Sequence, residues 1–245
     1  MLISLKSFFI SLWERFSKAA LVQDRWRMYL EGLGNTLLIA LIATLIGVTI
    51  GVTFAMIKYL HKRNNKLKIL FKIADVYITL IRGTPVVLQL MILYFIVFSG
   101  WNNGIMIGAI TFGLNSGAYV AEIARAGFES VDDGQMEAGR SLGLSTWQTM
   151  YHVIIPQAIR NCLPPLFNEF ITLVKETAIV GYVGIMDLGK IPGLIQSRTF
   201  DYLFPLLIAA ILYLAVVMLL TKLLHIIEKR FSKSDRQNGG LTHGK

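Results

Sequence analysis

The chain has 245 residues, of which 54% are hydrophobic and 16% are charged. A soluble domain of this length cannot bury so much apolar surface, so the composition indicates a membrane protein. The net charge of +9 does not indicate a nucleic-acid binder, because the basic residues lie between apolar stretches rather than on one soluble face. The long apolar stretches also differ from the short alternating strands of a β-barrel. We therefore predict an all-α, polytopic helical membrane protein with about five transmembrane helices.

Residues 1–34 form an N-terminal segment in which apolar residues recur at helical spacing. This pattern predicts an amphipathic helix that lies in the membrane interface. The first span is predicted for residues 35–59, with Asn35 as its N-cap. Gly47 and Gly51 in this span are four residues apart. Such spacing either lets another helix approach closely or is a coincidence of apolar sequence.

The second span must include residues before Pro85. The apolar run at 85–98 has about 14 residues, or roughly 21 Å of helix, which is too short for a hydrocarbon core of roughly 30 Å. We therefore expect the helix to begin near residues 75–79 and to kink at the proline. The proline ring would also free a backbone carbonyl near Ile81.

Three more spans are predicted at residues 104–124, from Pro164 or Pro165 to 184, and at 203–227, before a tail at 228–245. The link after the first span is rich in Lys and Arg, whereas the link after the second has none. The first link is therefore cytoplasmic, which places the N-terminus outside and the C-terminus inside. A weak basic bias of the N-terminal segment favours the opposite orientation.

The link at residues 125–163 then faces the cytoplasm and carries more helix signals than a connector needs. A short helix is predicted to end before Gly143, and Ser145 is predicted to cap a second helix that ends at Pro156. The second helix is amphipathic and too short to cross a membrane. We expect it to lie along the membrane surface and to present its exposed residues to a partner.

Within this link, Glu137, Ala138, Gly143 and Pro156 have the spacing of the cytoplasmic EAA loop, so the chain resembles ABC importer permeases. Gly139 stands where that loop usually has a second alanine. Two other segments resemble the polar amino-acid branch of the same family, namely Arg82-Gly83-Thr84-Pro85 and Gly117-Ala118-Tyr119-Val120-Ala121-Glu122.

The resemblance covers residues 35–227, the predicted transmembrane permease domain. It implies a subunit that translocates a polar amino acid across the bacterial cytoplasmic (inner) membrane. It also implies a second permease subunit, identical or paralogous, together with ABC ATPase subunits, an extracytoplasmic substrate-binding protein and membrane lipid. The residues implied in ATPase coupling are Glu137, Ala138, Gly139, Ser141, Gly143, Leu144 and Ser145.

We expect no catalytic site and no cofactor in this chain, because ATP and Mg would be bound by the partner ATPase. Gly239 to Lys245 has the glycine and lysine spacing of a phosphate loop, but neither a hydroxyl residue nor a helix follows it. Cys162 is the only cysteine, so a thiolate metal cluster is excluded, and we predict no metal site.

Polar residues within the predicted spans are candidates for a substrate pathway, because their burial in lipid is costly. Asn168, Thr172 and Glu176 recur at intervals of four and therefore share one helical face. A carboxylate there would suit a substrate ammonium group, but Lys175 paired with a glutamate is an equally good structural interpretation. The full candidate set is Thr84, Gln89, Asn115, Asn168, Glu169, Thr172 and Glu176.

The sequence is also compatible with two other classes of function. An ion-coupled secondary transporter would be expected to show internal repeats and a charge relay, and no convincing repeat is visible. A membrane scaffold that recruits a cytoplasmic partner without transport is the third class.

Overall fold

A computed structural model of the chain describes residues 5–64 and 67–239. Within these residues the secondary structure consists of helices and turns, without a strand. The predicted all-α fold class is therefore confirmed. Predictions made for residues 1–4, 65–66 and 240–245, including most of the glycine motif of the tail, lie outside the described residues.

The second helix is longer than the sequence predicts. Helix α1 is Leu5–Ala20, and a short 3₁₀ turn leads into α2, Arg25–Asn64. Helix α2 has 40 residues, so the predicted start of a helix at Asn35 is wrong. The Nδ2 of Asn35 instead donates to the backbone carbonyl oxygen of Met186 at 2.7 Å. A tertiary contact thus uses the side chain that the sequence offered as a cap.

The second predicted span is broken at the proline. Helix α3 is Lys68–Gly83, and α4 is Val86–Ile92 with a π-helical turn at Leu93–Val97. The two parts are bent by 105°, so the expected kink is a full break, and α3 starts earlier than predicted. Thr84 and Pro85 are extended, because a proline ring disfavours the helical conformation of the residue before it.

Helix α5, Gly104–Glu129, begins where the third span was predicted to begin and extends beyond its predicted end at 124. The side chain of Asn103 caps its N-terminus by accepting from the backbone N–H of Met106 at 3.1 Å. This cap fixes the start of the most buried helix in the described part of the chain.

Glycines bring α2 and α5 into close contact. A Cβ at Gly51 would lie 2.5 Å from Val120 Cγ1, and one at Gly47 would lie 3.0 Å from the side chain of Ser116. Helix α5 contributes Gly113 in return, where a Cβ would lie 2.7 Å from the side chain of α2 residue Ile46. The glycine pair of α2 is therefore a helix contact rather than a coincidence.

The link predicted to be cytoplasmic contains two short helices and the start of a long one. Helix α6 is Gly134–Ser141, and α7 is Thr146–Thr149. A π-helical turn then leads directly into α8, Ile155–Glu176. The predicted helix end at Pro156 is therefore wrong, because the wider turn before it tolerates the missing N–H and the bulk of the ring.

Helix α8 also corrects the predicted start of the fourth span. Pro164 and Pro165 lie inside the helix rather than at its beginning. Ala158 and Cys162 are buried on the same helix, one turn apart, and Cys162 packs against Gly127 of α5. Packing against α5 thus holds the chain helical on the N-terminal side of the prolines, which local propensity alone would not favour.

Three helical segments follow α8 in the described part of the chain. A 3₁₀ segment, Thr177–Val183, follows α8, and Gly184 ends it with a left-handed φ of +85°. Helix α9 is Ile191–Thr199, and α10 is Leu203–Gly239. The principal core cluster joins α2, α4, α5, α8 and the 3₁₀ segment.

Three helices of the described residues are long and apolar enough to cross a membrane, and the broken α3–α4 pair makes a fourth candidate. These are α2, α5 and α10 together with the broken pair. Helix α8, the predicted fourth span in the chain, does not meet the same hydropathy criterion, because it carries several polar residues. The count of five spans therefore stays a prediction.

Candidate functional site

The predicted elbow of the link between α5 and α8 is present at Gly143, where φ is +84°. Helix α6 ends there in a Schellman motif. The N–H of Gly143 donates to Arg140 O at 3.0 Å, and the N–H of Leu144 donates to Gly139 O at 3.1 Å. Glycine suits the left-handed position because it has no Cβ to clash with the backbone.

A capping box starts the next helix two residues later. The N–H of Gln148 donates to Ser145 Oγ at 3.2 Å, and the N–H of Ser145 donates to Gln148 Oε1 at 2.8 Å. Both helix ends at the elbow are therefore fully defined by local hydrogen bonds. The prediction of helix, glycine elbow and capped helix is confirmed as local structure.

The elbow presents apolar side chains to its surroundings. Leu142 is 82% exposed, Trp147 is 66% exposed and Tyr151 is 61% exposed. Bulky apolar residues that are grouped and exposed outside a lipid-facing span indicate a protein partner. Leu142 was not predicted as an exposed contact residue, although its place directly before the elbow glycine was a usable signal.

Beneath this surface the elbow is packed. Met136, Met150 and Ile154 form a buried cluster with Phe128 of α5. A Cβ at Gly139 would lie 2.4 Å from Thr149 Cγ2, which explains a glycine rather than an alanine there. Gly139 is thus a packing residue and not part of the exposed surface, whereas Leu144 is half-buried. The exposed members of the predicted coupling set are Glu137, Ala138, Ser141, Gly143 and Ser145.

A chain of alternating charges joins α2, α3 and α5 near the elbow. Lys58 Nζ lies 3.2 Å from Asp75 Oδ1 and 3.5 Å from Glu122 Oε1. Arg125 Nη2 lies 2.9 Å from Glu122 Oε2, and its Nη1 contacts Glu129 at 2.5 Å. The pairing ties α2, α3 and α5 together. The sequence showed the basic residues only as an orientation signal.

The first group of predicted pathway residues meets at the break between α3 and α4. Gln89 Nε2 donates to Ile81 O at 2.9 Å and to Thr84 Oγ1 at 2.8 Å. Gln89 Oε1 accepts from Asn115 Nδ2 of α5 at 3.1 Å. The carbonyl that the proline was expected to free is therefore satisfied by a side chain from the next helix. Thr84 itself is exposed, so this group reaches the surface of the subunit.

The second group lies on α8. Ser116 Oγ of α5 donates to Glu169 Oε1 at 2.8 Å. Asn168, Thr172 and Glu176 share one face of α8, as predicted, and Asn168 and Glu176 are exposed. On the predicted fourth span, an exposed polar face would require water, substrate or another subunit beside it.

The charged residues of α8 do not form the ion pairs that the structural interpretation of Lys175 required. Among the described residues, Lys175 forms no ion pair within 4.0 Å with Glu122, Glu169 or Glu176. Glu122 is already engaged by Lys58 and Arg125. Adjacent residues Asn115 and Ser116 of α5 bring the two pathway groups to neighbouring positions on the same helix.

An ion pair anchors the N-terminal helix α1 to the residues just before α10. Arg15 Nε and Nη2 each donate to a carboxylate oxygen of Asp201 at 2.9 Å. These hydrogen bonds hold the pKa of the Asp201 carboxyl below its ordinary value, since they stabilise the charged form. Phe16 and Phe204 pack edge to face beside the pair, with ring centroids 6.1 Å apart.

A buried carboxylate missed by the sequence analysis organises the loop before α9. Asp187 accepts from the backbone N–H groups of Gly189 at 2.8 Å and Lys190 at 3.0 Å, and from Tyr213 of α10 at 3.3 Å. The N–H of Leu188 donates to Thr36 of α2 at 3.1 Å. These bonds fix the loop to α2 and α10. The run of Asp and Gly two residues apart was the available turn signal.

The chain is similar in sequence to known transport proteins. A family model described as "Binding-protein-dependent transport system inner membrane component" matches residues 47–233. A putative glutamine transport system permease protein, GlnP, of Rickettsia bellii is 43% identical over 205 residues, which cover 82% of this chain and 91% of that protein. The arginine transport system permease protein ArtQ of Bacillus subtilis is 37% identical over 209 residues, which cover 84% and 93%.

Comparison with solved structures agrees. The chain matches a chain in the crystal structure of an amino acid ABC transporter with histidines, with a TM-score of 0.77 and 41% identity over 83% of this chain and 94% of that one. It also matches an inward facing structure of the MetNI methionine ABC transporter, with a TM-score of 0.74 over 86% and 99% of the two chains. At 19% identity the second match shows a shared fold alone.

Proposed function

This chain belongs to the family of binding-protein-dependent transport system inner membrane components, and from that membership we propose how it imports its substrate and how it is driven. It is a multi-pass inner-membrane permease of an ABC importer for amino acids. Membership implies ATPase partners and a substrate-binding protein. The finer proposal is a passive subunit that moves a polar amino acid and is driven by ATPases through the elbow at Gly143.

The elbow supports the coupling proposal most directly. A helix that is stopped by a Schellman motif and a helix that is started by a capping box form a stiff corner with exposed apolar side chains. A docked ATPase could displace such a corner as a unit, and the continuous α8 would carry the displacement into the membrane. The direct connection of the elbow to α8 removes the flexible joint that a short surface helix ending at Pro156 would have required.

The polar face of α8 supports the proposed pathway. Glu169 and Glu176 lie two turns apart, and the Asn168 amide is exposed between them and the prolines. Carboxylates in a low-dielectric site favour a substrate ammonium, and amide groups can bind the polar side chain. Relatives named for glutamine, arginine and cystine transport favour a polar amino acid as the cargo.

We also propose an orientation of the chain in the membrane and a role for each subunit of the transporter. The elbow faces the cytoplasm, the C-terminus lies on the same side and the N-terminus lies outside, as the distribution of Lys and Arg indicates. ATP and Mg are bound and ATP is hydrolysed by the ATPase subunits, and this chain contributes no catalytic residue. A second permease subunit, identical or paralogous, completes the path, and the binding protein delivers the amino acid from outside.

Reconstitution into liposomes tests this proposal against the two other classes of function. Uptake that requires the ATPase subunits, ATP and the binding protein is the expected result. Uptake driven by an ion gradient in the absence of the ATPase would identify a secondary transporter instead. A stable, fully assembled complex that shows no uptake under either condition would leave only a scaffold role.

A further inference from the structure

The cytoplasmic end of α10 has a charge pattern that the transport function does not use. Residues 203–221 contain no charged side chain. This apolar stretch is about 19 residues, or roughly 28 Å of helix, which matches a hydrocarbon core of roughly 30 Å. Lys222 therefore lies where the headgroup region begins, and His225 and Lys229 lie one and two turns farther along the helix.

The basic residues lie on the face of α10 that the rest of the chain leaves uncovered. Tyr213 and Leu220 pack against the cores of the subunit, and Leu224 is buried. At about 100° per residue, Lys222 and Leu224 are roughly 160° apart around the helix axis, so they lie on nearly opposite faces. The same outer face carries Met218, which is 62% exposed, so an apolar surface continues directly below the ammonium group.

The outer face forms a shallow groove with two chemically distinct halves. Met218 and Ile226 provide apolar walls, and Lys222 and Lys229 provide positive charge. Within the part of the chain that the structure describes, neither ammonium group has an ion-pair partner. His225 differs, because its Nδ1 lies 3.1 Å from Glu228.

We propose that this groove binds an anionic phospholipid, with its phosphate between Lys222 and Lys229 and its acyl chain along Met218. The depth of the lysines matches the headgroup level, and the order of apolar and cationic residues matches an anionic amphiphile. A second copy of the chain fits less well. A two-fold contact at this face would bring the same lysines together and would leave their charges uncompensated.

Native mass spectrometry of the full-length chain, purified with its ATPase subunits, tests the proposal. Phosphatidylglycerol, phosphatidylcholine and inorganic phosphate are added separately at equal concentration. The wild type is expected to retain phosphatidylglycerol in preference to phosphatidylcholine. The K222Q/K229Q variant is expected to lose this retention by about tenfold to thirtyfold, since each basic side chain near an anionic headgroup contributes to binding.

The matched control is K68Q/K72Q, which removes two exposed lysines from α3 and leaves the groove intact. It is expected to retain phosphatidylglycerol as the wild type does, and K222R/K229R is expected to do the same. Equal retention of both lipids, or equal loss in both glutamine variants, would overturn the proposal. Displacement of the lipid by inorganic phosphate would show a free phosphate site instead. Efficient disulfide formation between two copies of a Met218→Cys variant in membranes would show that a second copy covers the groove.

Discussion

The side chain of Gln89 closes the backbone gap that Pro85 opens, because its Nε2 donates to the carbonyl oxygen of Ile81 at 2.9 Å across the bend between α3 and α4. The same side chain reaches Asn115 on α5. Gln89 thus satisfies the free carbonyl at the break and also attaches the break to α5, the most buried helix of the described chain. The polar break is therefore a fixed structure rather than a flexible joint.

Replacement of Gln89 by Met should destabilise the subunit. The substitution keeps the length of the side chain but leaves the Ile81 carbonyl without its donor, at a cost of about 1–3 kcal/mol. The midpoint of thermal unfolding of the purified complex in detergent measures the effect. Gln196→Met is the control, because no hydrogen bond of that side chain is seen in the described residues. Equal midpoints for both variants would contradict the role given to Gln89.

Substitutions at Gly143 should separate the need for a left-handed residue from the need for small size. Asn tolerates the observed φ of +84°, whereas Val strains it by roughly 1–2 kcal/mol or more. Gly143→Asn is expected to retain ATP-driven uptake, and Gly143→Val is expected to lose most of it. Uptake in proteoliposomes and co-purification of the ATPase are measured together. Normal uptake and assembly of the Val variant would argue against a stiff elbow.

The contact between α2 and α5 predicts different tolerance at two glycines of the same helix. A Cβ at Gly51 would lie 2.5 Å from Val120 Cγ1, whereas a Cβ at Gly34 would meet nothing within 4 Å. Gly51→Ala should therefore destabilise the fold by about 1–3 kcal/mol through overpacking. Gly34→Ala should be neutral or slightly stabilising, since alanine favours a helix. Thermal unfolding in detergent compares the two, and a neutral Gly51→Ala would rule out tight packing there.

The charge of Glu176 should matter for transport if the face of α8 lines the path. Glu176→Gln keeps the shape of the side chain and removes the charge that would bind a substrate ammonium. Because a hydrogen bond to a charged group contributes about 1.5–3 kcal/mol, uptake at low substrate concentration should fall about tenfold or more. Glu31→Gln, at an exposed position of α2, is the control. Unaltered uptake by an assembled Glu176→Gln transporter would remove this residue from the pathway.

The ion pair of Arg15 and Asp201 should give the fold a dependence on acid pH. The pKa of Asp201 is lowered from its ordinary value of 3.8, chiefly by the hydrogen bonds from Arg15. The pair therefore stabilises the fold above that pH, and the contribution is lost as the pH falls through 3.8 toward the folded-state pKa.

A comparison of Asp201→Asn with the wild type checks this dependence. The wild type should have the higher midpoint of thermal unfolding at pH 6, and the difference should shrink as the pH approaches 3. Glu14→Gln removes an exposed carboxylate next to Arg15 on α1 and should leave the difference unchanged. A constant gap between wild type and Asp201→Asn across this range would exclude titration of the pair.

Several features were predictable because they depend on neighbouring residues alone. The elbow follows from a glycine placed two residues before a Ser and four before a Trp in a helical pattern, and the cap at Ser145 follows from Gln148 three residues later. The break at Pro85 follows from the ring itself. These elements needed no knowledge of what packs against them.

The helix boundaries that failed are those where packing overrules a local signal. Asn35 is a good N-cap in isolation, yet its side chain bonds to the distant carbonyl of Met186. Pro164 and Pro165 resemble the start of a helix, yet α8 begins one π turn after α7 and passes through both. In each case the contact that decides the conformation comes from a residue far away in the chain.

The sequence by itself determined that the chain is helical, that it belongs in a membrane, where its backbone must bend or break, and which loop resembles a coupling loop. These properties follow from apolar length, periodicity and the conformational preferences of Gly and Pro. Only the tertiary structure decided that the break bends by 105°, that Gln89 satisfies the carbonyl freed there, and that Ser116 holds Glu169. The physical reason is that a hydrogen-bond donor can be recognised from its residue type, but its acceptor is chosen by how the helices pack.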